Sequence, residues 1–169
     1  MITLEELETT CPAAFSNSPA DHVSKRYNHV RTADVVEHLM DQGFVITHAS
    51  QQKTQKRAAH KKANQKHRIR MRMPYTGNTS ARVGSIFPSM DLINSGDWSS
   101  NLIFAAGLYR MICENGMIMP FGAQNTTIKT RHDRIDDTVM AQIEAASEAA
   151  PALFEFAEKA ASTELTPSE

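Results

Sequence analysis

The sequence predicts one α+β domain: an antiparallel sheet of about four to six strands, with one helix from the N-terminal half and C-terminal helices packed on it. Three observations predict this class. The length of 169 residues is that of one domain. Hydrophobic residues make up 41% of the chain and charged residues 22%, which is typical of a chain with a globular core. A helical pattern precedes a run of strand-like segments and a second helical stretch follows, an order that favours α+β architecture.

The N-terminal segment begins with a helix. Thr3-Leu4-Glu5-Glu6 has the spacing of a capping box before a short amphipathic helix, and Pro12 ends that helix in a polar loop. We expect residues 1–20 to be peripheral, residues 21–161 to form the single domain, and residues 162–169 to be a disordered tail.

A second helix is predicted from Thr32, whose side chain can serve as the N-cap, to Gly43, which has the position of a C-terminal stop. Its apolar face is formed by Val35, Val36, Leu39 and Met40. The β-branched and aromatic residues 44–48 predict a strand that leads into a basic loop. Residues 66–73 are expected to return antiparallel to that strand.

Four further strand regions follow. Residues 83–94 predict a strand that Pro88 should confine to a sheet edge or a bulge. Residues 102–113 fit either a strand or a helix, but Asn115-Gly116 favours a two-residue hairpin turn, so we predict a strand there and its partner at 117–119. A last short strand is expected to span residues 126–131.

The C-terminal region is rich in Ala and Glu and predicts a helix that begins at Asp133 or Asp136. Pro151 either kinks that helix or opens another one. The inward residues are expected to be Val139, Ile143 and Ala146.

The charges along the chain are strongly segregated. Residues 1–41 carry seven acidic and three basic residues, residues 42–90 carry ten Lys or Arg and no acid, and residues 91–169 carry twelve acidic and five basic residues. A block of one sign favours binding to phosphates or to an acidic protein face, and the alternative is a solvated loop that pairs with its acidic flanks.

The part of this block from Lys53 to Arg72 is here called the basic segment. Its first half lacks apolar periodicity and predicts a long exposed loop, whereas residues 66–73 alternate strictly and predict a strand with an arginine face and with Ile69 and Met71 in the core. The predicted nucleic-acid-binding residues are Lys53, Lys56, Arg57, Lys61, Lys62, Lys66, Arg68, Arg70 and Arg72.

The best-defined enzyme classes have no motif in this sequence, which lacks a Gly-rich phosphate loop, a serine nucleophile elbow, an HExxH motif and a CxxC pair. His67, Asp91, Asp97 and His132 do not stand at metal-ligand spacing. Cys11 and Cys113 are far apart and are expected to be buried free thiols in a reducing compartment. We therefore expect no catalytic residue, metal or cofactor.

No membrane segment or leader is expected. The longest apolar run, Leu102 to Leu108, is far shorter than the roughly 20 residues of a membrane span. The acidic N-terminus lacks the basic and apolar regions of a secretory signal. We expect a cytoplasmic protein of a bacterial host.

Five short motifs lie within residues 24 to 132 and carry a resemblance that covers about residues 24 to 145. They are Ser24-Lys25-Arg26-Tyr27 with Thr32, Lys66-His67-Arg68-Ile69-Arg70, Leu92-Ile93-Asn94-Ser95 with Asp97, Ser99 and Ser100, Gly107-Leu108-Tyr109-Arg110 with Cys113, Asn115 and Gly116, and Arg131-His132. In order and spacing they resemble the phage/plasmid-like protein family of unknown function, found in prophages, plasmids and phages. The resemblance singles out Asn94, Ser95, Asp97, Arg110, Asn115 and His132.

The chain departs from the family pattern at two positions of one loop. The family usually has Asn-Ser-His-Asp-Gly-Ser-Ser there, whereas this chain has Gly96 for the histidine and Trp98 for the glycine. Many family members are longer, so this chain resembles a core-only version. The resemblance implies a mobile-element setting, with DNA handling or interference with host defence as the function.

We expect a non-enzymatic nucleic-acid-binding accessory protein of a phage or plasmid, with DNA favoured over RNA as its partner. The alternative is an anti-defence inhibitor, of the anti-CRISPR or antirestriction type, that binds a host defence protein. A third hypothesis is a metal-dependent hydrolase that uses Asp97 and His132. We also expect Asp97 to pair with Arg110, while Asn94 and Ser95 bond backbone groups of their loop.

Overall fold

The computed structural model describes residues 1–53, 62–73, 83–115, 117–122 and 125–149, together with residues 152, 153, 155, 156 and 159. Within these residues the chain forms three α-helices and one six-stranded sheet, so the predicted α+β class is confirmed. The elements are α1 (Leu4–Thr10), α2 (Thr32–Asp41), β1 (Val45–Gln51), β2 (His67–Arg72), β3 (Ile86–Asn94), β4 (Leu102–Met111), β5 (Ile118–Pro120), β6 (Thr126–Thr130) and α3 (Asp137–Glu148).

The sheet is antiparallel throughout and follows the order β1-β2-β3-β4-β5, with β6 also paired to β4. The prediction that Pro88 confines its strand to a sheet edge or a bulge is wrong for the strand as a whole, because β3 lies between β2 and β4 and pairs with both in a regular register. Pro88 is tolerated because it lies just beyond the pairing with β2, whose last pair is Arg72 opposite Ser89, and it pairs only with Leu108 of β4.

The hairpin between β4 and β5 is confirmed, but its turn is longer than predicted. The Ile112 N–H donates to the Met117 carbonyl at 2.8 Å, so four residues separate the last bonded pair where two were expected. Asn115 lies in this turn and is exposed. The strand interpretation of residues 102–113 holds for Leu102–Met111.

The helix ends are set by local polar contacts. Thr3 and Glu6 form the predicted capping box of α1, and the Asp136 carboxylate caps α3 by accepting from the Val139 N–H at 3.1 Å. The prediction that Thr32 is the N-cap of α2 is wrong, because the N-cap is Arg31 and Thr32 is the first residue of the helix. The Thr32 hydroxyl instead forms hydrogen bonds with the side chains of His67 and Asn94. Gly43, at φ +92°, stops α2 as expected.

The core lies between one face of the sheet and the three helices. Its strand residues include the predicted Ile69 and Met71, which are 0% and 1% exposed. The N-terminal segment, expected to be peripheral, contributes Leu7, Cys11 and Ala14 to this same core. Burial raises the pKa of the Cys11 thiol to about 11, which keeps it protonated and unreactive at neutral pH.

The sheet face opposite the helices is here called the outer face. Arg68, Arg70 and Arg72 project from β2 on this face, since they alternate with the buried Ile69 and Met71. The predicted Lys56, Arg57, Lys61 and Pro151, like the tail 162–169, lie outside the described residues. Among the residues that are described, no helix has the length and apolar character needed to cross a membrane.

Candidate functional site

The described lysines of the basic segment gather where β1 ends and β2 begins. The Gln52 N–H donates to the Lys66 carbonyl at 2.9 Å, and the Gln51 side chain donates to the Lys62 carbonyl at 2.7 Å. Lys53, Lys62 and Lys66 are all exposed, and none of them forms an ion pair within the described part of the chain. They form a local positive surface, here called the lysine stem.

The arginine face of β2 is partly neutralised by an acid that the sequence did not point to. Asp91 stands directly opposite Arg70 in the β2–β3 register, and its Oδ1 accepts from Arg70 Nε at 3.0 Å. The other oxygen accepts from Arg68. Because the side chains of Asp91 and Arg70 are only 11% and 17% exposed, this cluster is semi-buried and does not offer two free cations to a phosphate.

Arg72 has a different environment from its two neighbours. Its guanidinium carbon lies 5.6 Å from the centre of the Phe87 ring, and its Nε is buried without a hydrogen-bond partner among the described residues. No acid within the described residues pairs with it. Burial lowers the pKa of this guanidinium, which stays cationic at neutral pH.

A groove of about 460 Å³ opens on the outer face beside Arg70 and Arg72 and is here called the outer groove. Its floor and walls come from β1 to β5 and from the β4–β5 turn. The lining residues include His48, Phe87, Met111, Glu114, Asn115 and Ile118.

The loop between β3 and β4, residues 95–101, is held by polar side chains of its own and of Asn94, the last residue of β3. Asn94 donates to the Val30 carbonyl at 3.0 Å and to the Thr32 hydroxyl at 2.9 Å, while its Oδ1 accepts from the Ser95 N–H at 2.8 Å. The Ser95 hydroxyl accepts from the Ser100 N–H at 3.0 Å. The expectation that Asn94 and Ser95 bond loop backbone groups is confirmed.

Two buried ring side chains, Tyr27 and His132, pack beneath this loop on its protein side. The Tyr27 hydroxyl donates to the Ser95 carbonyl, and its ring stacks on His132 with centroids 4.3 Å apart. His132 is 0% exposed, with Nδ1 3.3 Å from the Asn28 carbonyl, so it cannot act as a base in an open cleft. His67 is also buried and contacts the Thr32 hydroxyl at 2.8 Å. Burial lowers the pKa of both histidines.

The two altered loop positions have definite structural roles. Trp98 adopts φ +67°, a conformation that favours glycine, and its ring meets Tyr27 edge-on at 5.7 Å. A Cβ atom at position 96 would lie 2.4 Å from the side-chain Oδ1 of Asn64. The Gly96 N–H donates to the backbone carbonyl of Asn64 at 2.8 Å. Gly96 thereby allows the residues before β2 to dock on the loop.

The expected pair of Asp97 and Arg110 is wrong. Asp97 precedes β4, whereas Arg110 stands near its end opposite Ile86, so at about 3.3 Å per residue the strand separates them by roughly 25 Å. Asp97 accepts from the Ser99 N–H at 2.9 Å instead. The structure thus brings Asn94, Ser95, Asp97 and His132 to one end of the sheet and places Arg110 and Asn115 at the other.

The acid Asp91 and the aromatic residues Phe87 and Tyr109 were missed as site residues. Tyr109 is 9% exposed, and burial and the charge of Asp91 raise its phenol pKa. Polar and apolar residues alternate only over Ser89–Leu92 of β3, and β4 is almost entirely apolar, so only the strand register shows which residues face the arginines. That register cannot be read from the sequence because a long connection joins β2 to β3.

Comparisons with known proteins give relatives but no biochemical activity. The chain is 29% identical over 117 residues to UPF0380 protein YfjQ and 30% identical over 117 residues to UPF0380 protein YafZ, both from Escherichia coli strain K12. These matches cover 69% of this chain and 40% of each relative, so the chain spans less than half the length of the curated relatives it matches. No solved structure matches it. A domain of unknown function, DUF932, matches residues 19–169, and the chain therefore belongs to the DUF932 family.

Proposed function

We propose that this protein binds nucleic acid through the phosphate backbone, as a non-enzymatic accessory protein of a phage or plasmid. The observation that carries the proposal is the lysine stem: three exposed lysines where β1 ends and β2 begins, with no acidic partner among the described residues. Ammonium groups of this kind release counterions from a nucleic acid when they contact its phosphates.

The sequence around the stem supports the same proposal. Residues 42–90 hold no Asp or Glu, so the charges between Lys53 and Lys66 all have one sign. The arginine strand contributes less than its composition indicates, because Asp91 holds Arg68 and Arg70. Contact through backbone phosphates implies little sequence preference.

The test compares two double variants of the full chain in titrations of a labelled 20-nucleotide single strand at several salt concentrations. In Lys53→Gln/Lys66→Gln we expect weaker binding and a log–log salt slope that is shallower by roughly 1.4, about 0.7 for each lost contact to a single strand. The matched control is Lys129→Gln/Arg134→Gln, which removes two exposed cations outside the basic segment and should leave the slope unchanged.

Equal losses in the two double variants would mean that net charge alone governs binding. Binding that salt does not weaken would contradict the proposal outright. The alternative function, inhibition of a host defence protein, predicts a partner that co-purifies from host extract and survives nuclease treatment.

A further inference from the structure

The outer groove combines apolar surface, amide and carboxylate groups at its rim, and a cation that no described acid pairs with. Arg72 supplies the cation and lies over Phe87, while Met111 and Ile118 supply the apolar surface. Glu114 and Asn115 come from the exposed β4–β5 turn. A volume of about 460 Å³ lies within the roughly 300–1,000 Å³ of small-ligand sites.

The chemistry of Arg72 favours one phosphate group. A guanidinium is a planar fork that matches the oxygens of a phosphate. A partly buried guanidinium gains more from an anionic partner than an exposed guanidinium does. Within the part of the chain that the structure describes, the Arg72 Nε has no hydrogen-bond partner and the guanidinium no counter-charge, although burying a cation in this way is unfavourable. A bound phosphate would supply the missing counter-charge.

The rest of the groove limits what the phosphate can be attached to. Apolar side chains beside a guanidinium plane suit a flat base, since bases stack on such planes and on apolar surface. Glutamate can accept from the amino groups of a base, and asparagine can both donate and accept. The carboxylate of Glu114 also disfavours a second phosphate at that rim.

We propose that the outer groove binds one nucleoside monophosphate unit, with its phosphate on Arg72 and its base between the apolar wall and the β4–β5 turn. This inference rests on the proposed function, because the bound nucleoside monophosphate unit can be one nucleotide of a bound nucleic-acid strand. The same chemistry is presented by a free nucleotide, and the experiment separates the two sources.

The test titrates 5′-GMP, guanosine and inorganic phosphate into the full-length chain and three variants. We expect GMP to bind at least about tenfold more tightly than guanosine or phosphate, and Arg72→Gln to lose at least about tenfold in GMP affinity. Asn115→Ala, in an exposed turn, should lose severalfold, and Lys129→Gln, on the far edge of the same face, should bind as the parent does.

Unchanged GMP affinity in folded Arg72→Gln, or equal affinity for phosphate and GMP, would overturn the inference. If Arg72→Gln does not fold, unchanged affinity in Asn115→Ala overturns it instead. Displacement of GMP by the 20-nucleotide strand identifies the strand as the source, and retention of GMP identifies a free nucleotide. A strand that binds with the expected salt slope while GMP does not bind leaves the proposed function standing without this inference.

Discussion

Individual residues in the loop between β3 and β4 combine several structural roles in one side chain. Asn94 donates to the backbone before α2, donates to Thr32 and accepts from Ser95. Such short polar side chains satisfy buried backbone groups that no strand partner can reach. Three features of this loop, its residue types, turn chemistry and rigidity, are evident from sequence, whereas its contact with Tyr27 depends on the tertiary fold.

Replacing Tyr27 with Phe should lower the free energy of unfolding by about 1–3 kcal/mol. The hydroxyl donates to a buried carbonyl of Ser95, which would be left without this donor, while the stack on His132 would remain. Urea unfolding measures the change. Phe121→Leu, at a half-buried aromatic position away from the loop, is the control, and an unfolding free energy equal to the parent's would contradict the role given to the hydroxyl.

Gly96→Ala should destabilise the chain by about 1–3 kcal/mol, the range of overpacked sites. The added Cβ would lie 2.4 Å from the Oδ1 of Asn64, and 3.1 and 3.2 Å from the Cγ and Cβ of that asparagine. Thermal unfolding compares this variant with Gly96→Ala/Asn64→Gly, in which the obstructing side chain is gone. Equal melting temperatures for Gly96→Ala and the parent would show that Asn64 moves aside without cost.

At the scale of elements, the pairing of β2 with β3 determines the chemistry of the outer face. The alternation in β2 predicts which residues face the core, and the structure confirms it for Ile69 and Met71. The sequence could not show that Asp91 stands opposite Arg70, because shifting the register by one residue would reverse the face of every side chain. Local patterns therefore predicted the strands, while cross-strand contacts required the fold.

Asp91→Asn should have opposite effects on stability and on binding. It should lower the free energy of unfolding by about 1–3 kcal/mol, between the values for exposed and buried pairs, because the cluster is semi-buried. It should also remove the carboxylate charge that neutralises Arg68 and Arg70, and so steepen the salt slope of strand binding. Glu37→Gln removes one exposed acid of α2, away from the outer face, as a control for net charge, and equal gains in both variants would rule out release of these two arginines.

At the scale of the whole molecule, two buried neutral histidines make stability depend on pH. Burial lowers the pKa of His67 and His132 in the folded chain below the unfolded value near 6.5. The unfolded state therefore binds more protons at mildly acidic pH, and the folded state loses stability as the pH falls below about 6.5.

Urea midpoints at pH 7.5 and 5.5 test this linkage, with the lower midpoint expected at pH 5.5. His67→Gln should reduce the difference between the two midpoints, and His38→Gln, at an exposed helix position, should leave it as in the parent. A midpoint that rises on acidification would contradict the sign.

The class of the fold could be predicted because periodicity, turn residues and caps agreed along most of the chain. The candidate site was predicted less well. The binding role of its lysines stays a prediction, whereas the structure places Asp97 and Arg110 at opposite ends of β4 and pairs Asp91 with the arginines. Those facts depend on strand length and register, which no local pattern contains.

Trp98 is the single tryptophan of the chain, and its left-handed backbone places the indole edge-on against Tyr27. Intrinsic fluorescence excited at the indole therefore comes from one known point, beside the docked residues that precede β2. Any event that loosens this loop changes the solvent around the indole and shifts its emission to longer wavelength. The protein thus carries an optical reporter at the end of the sheet where the lysine stem lies, with no label attached.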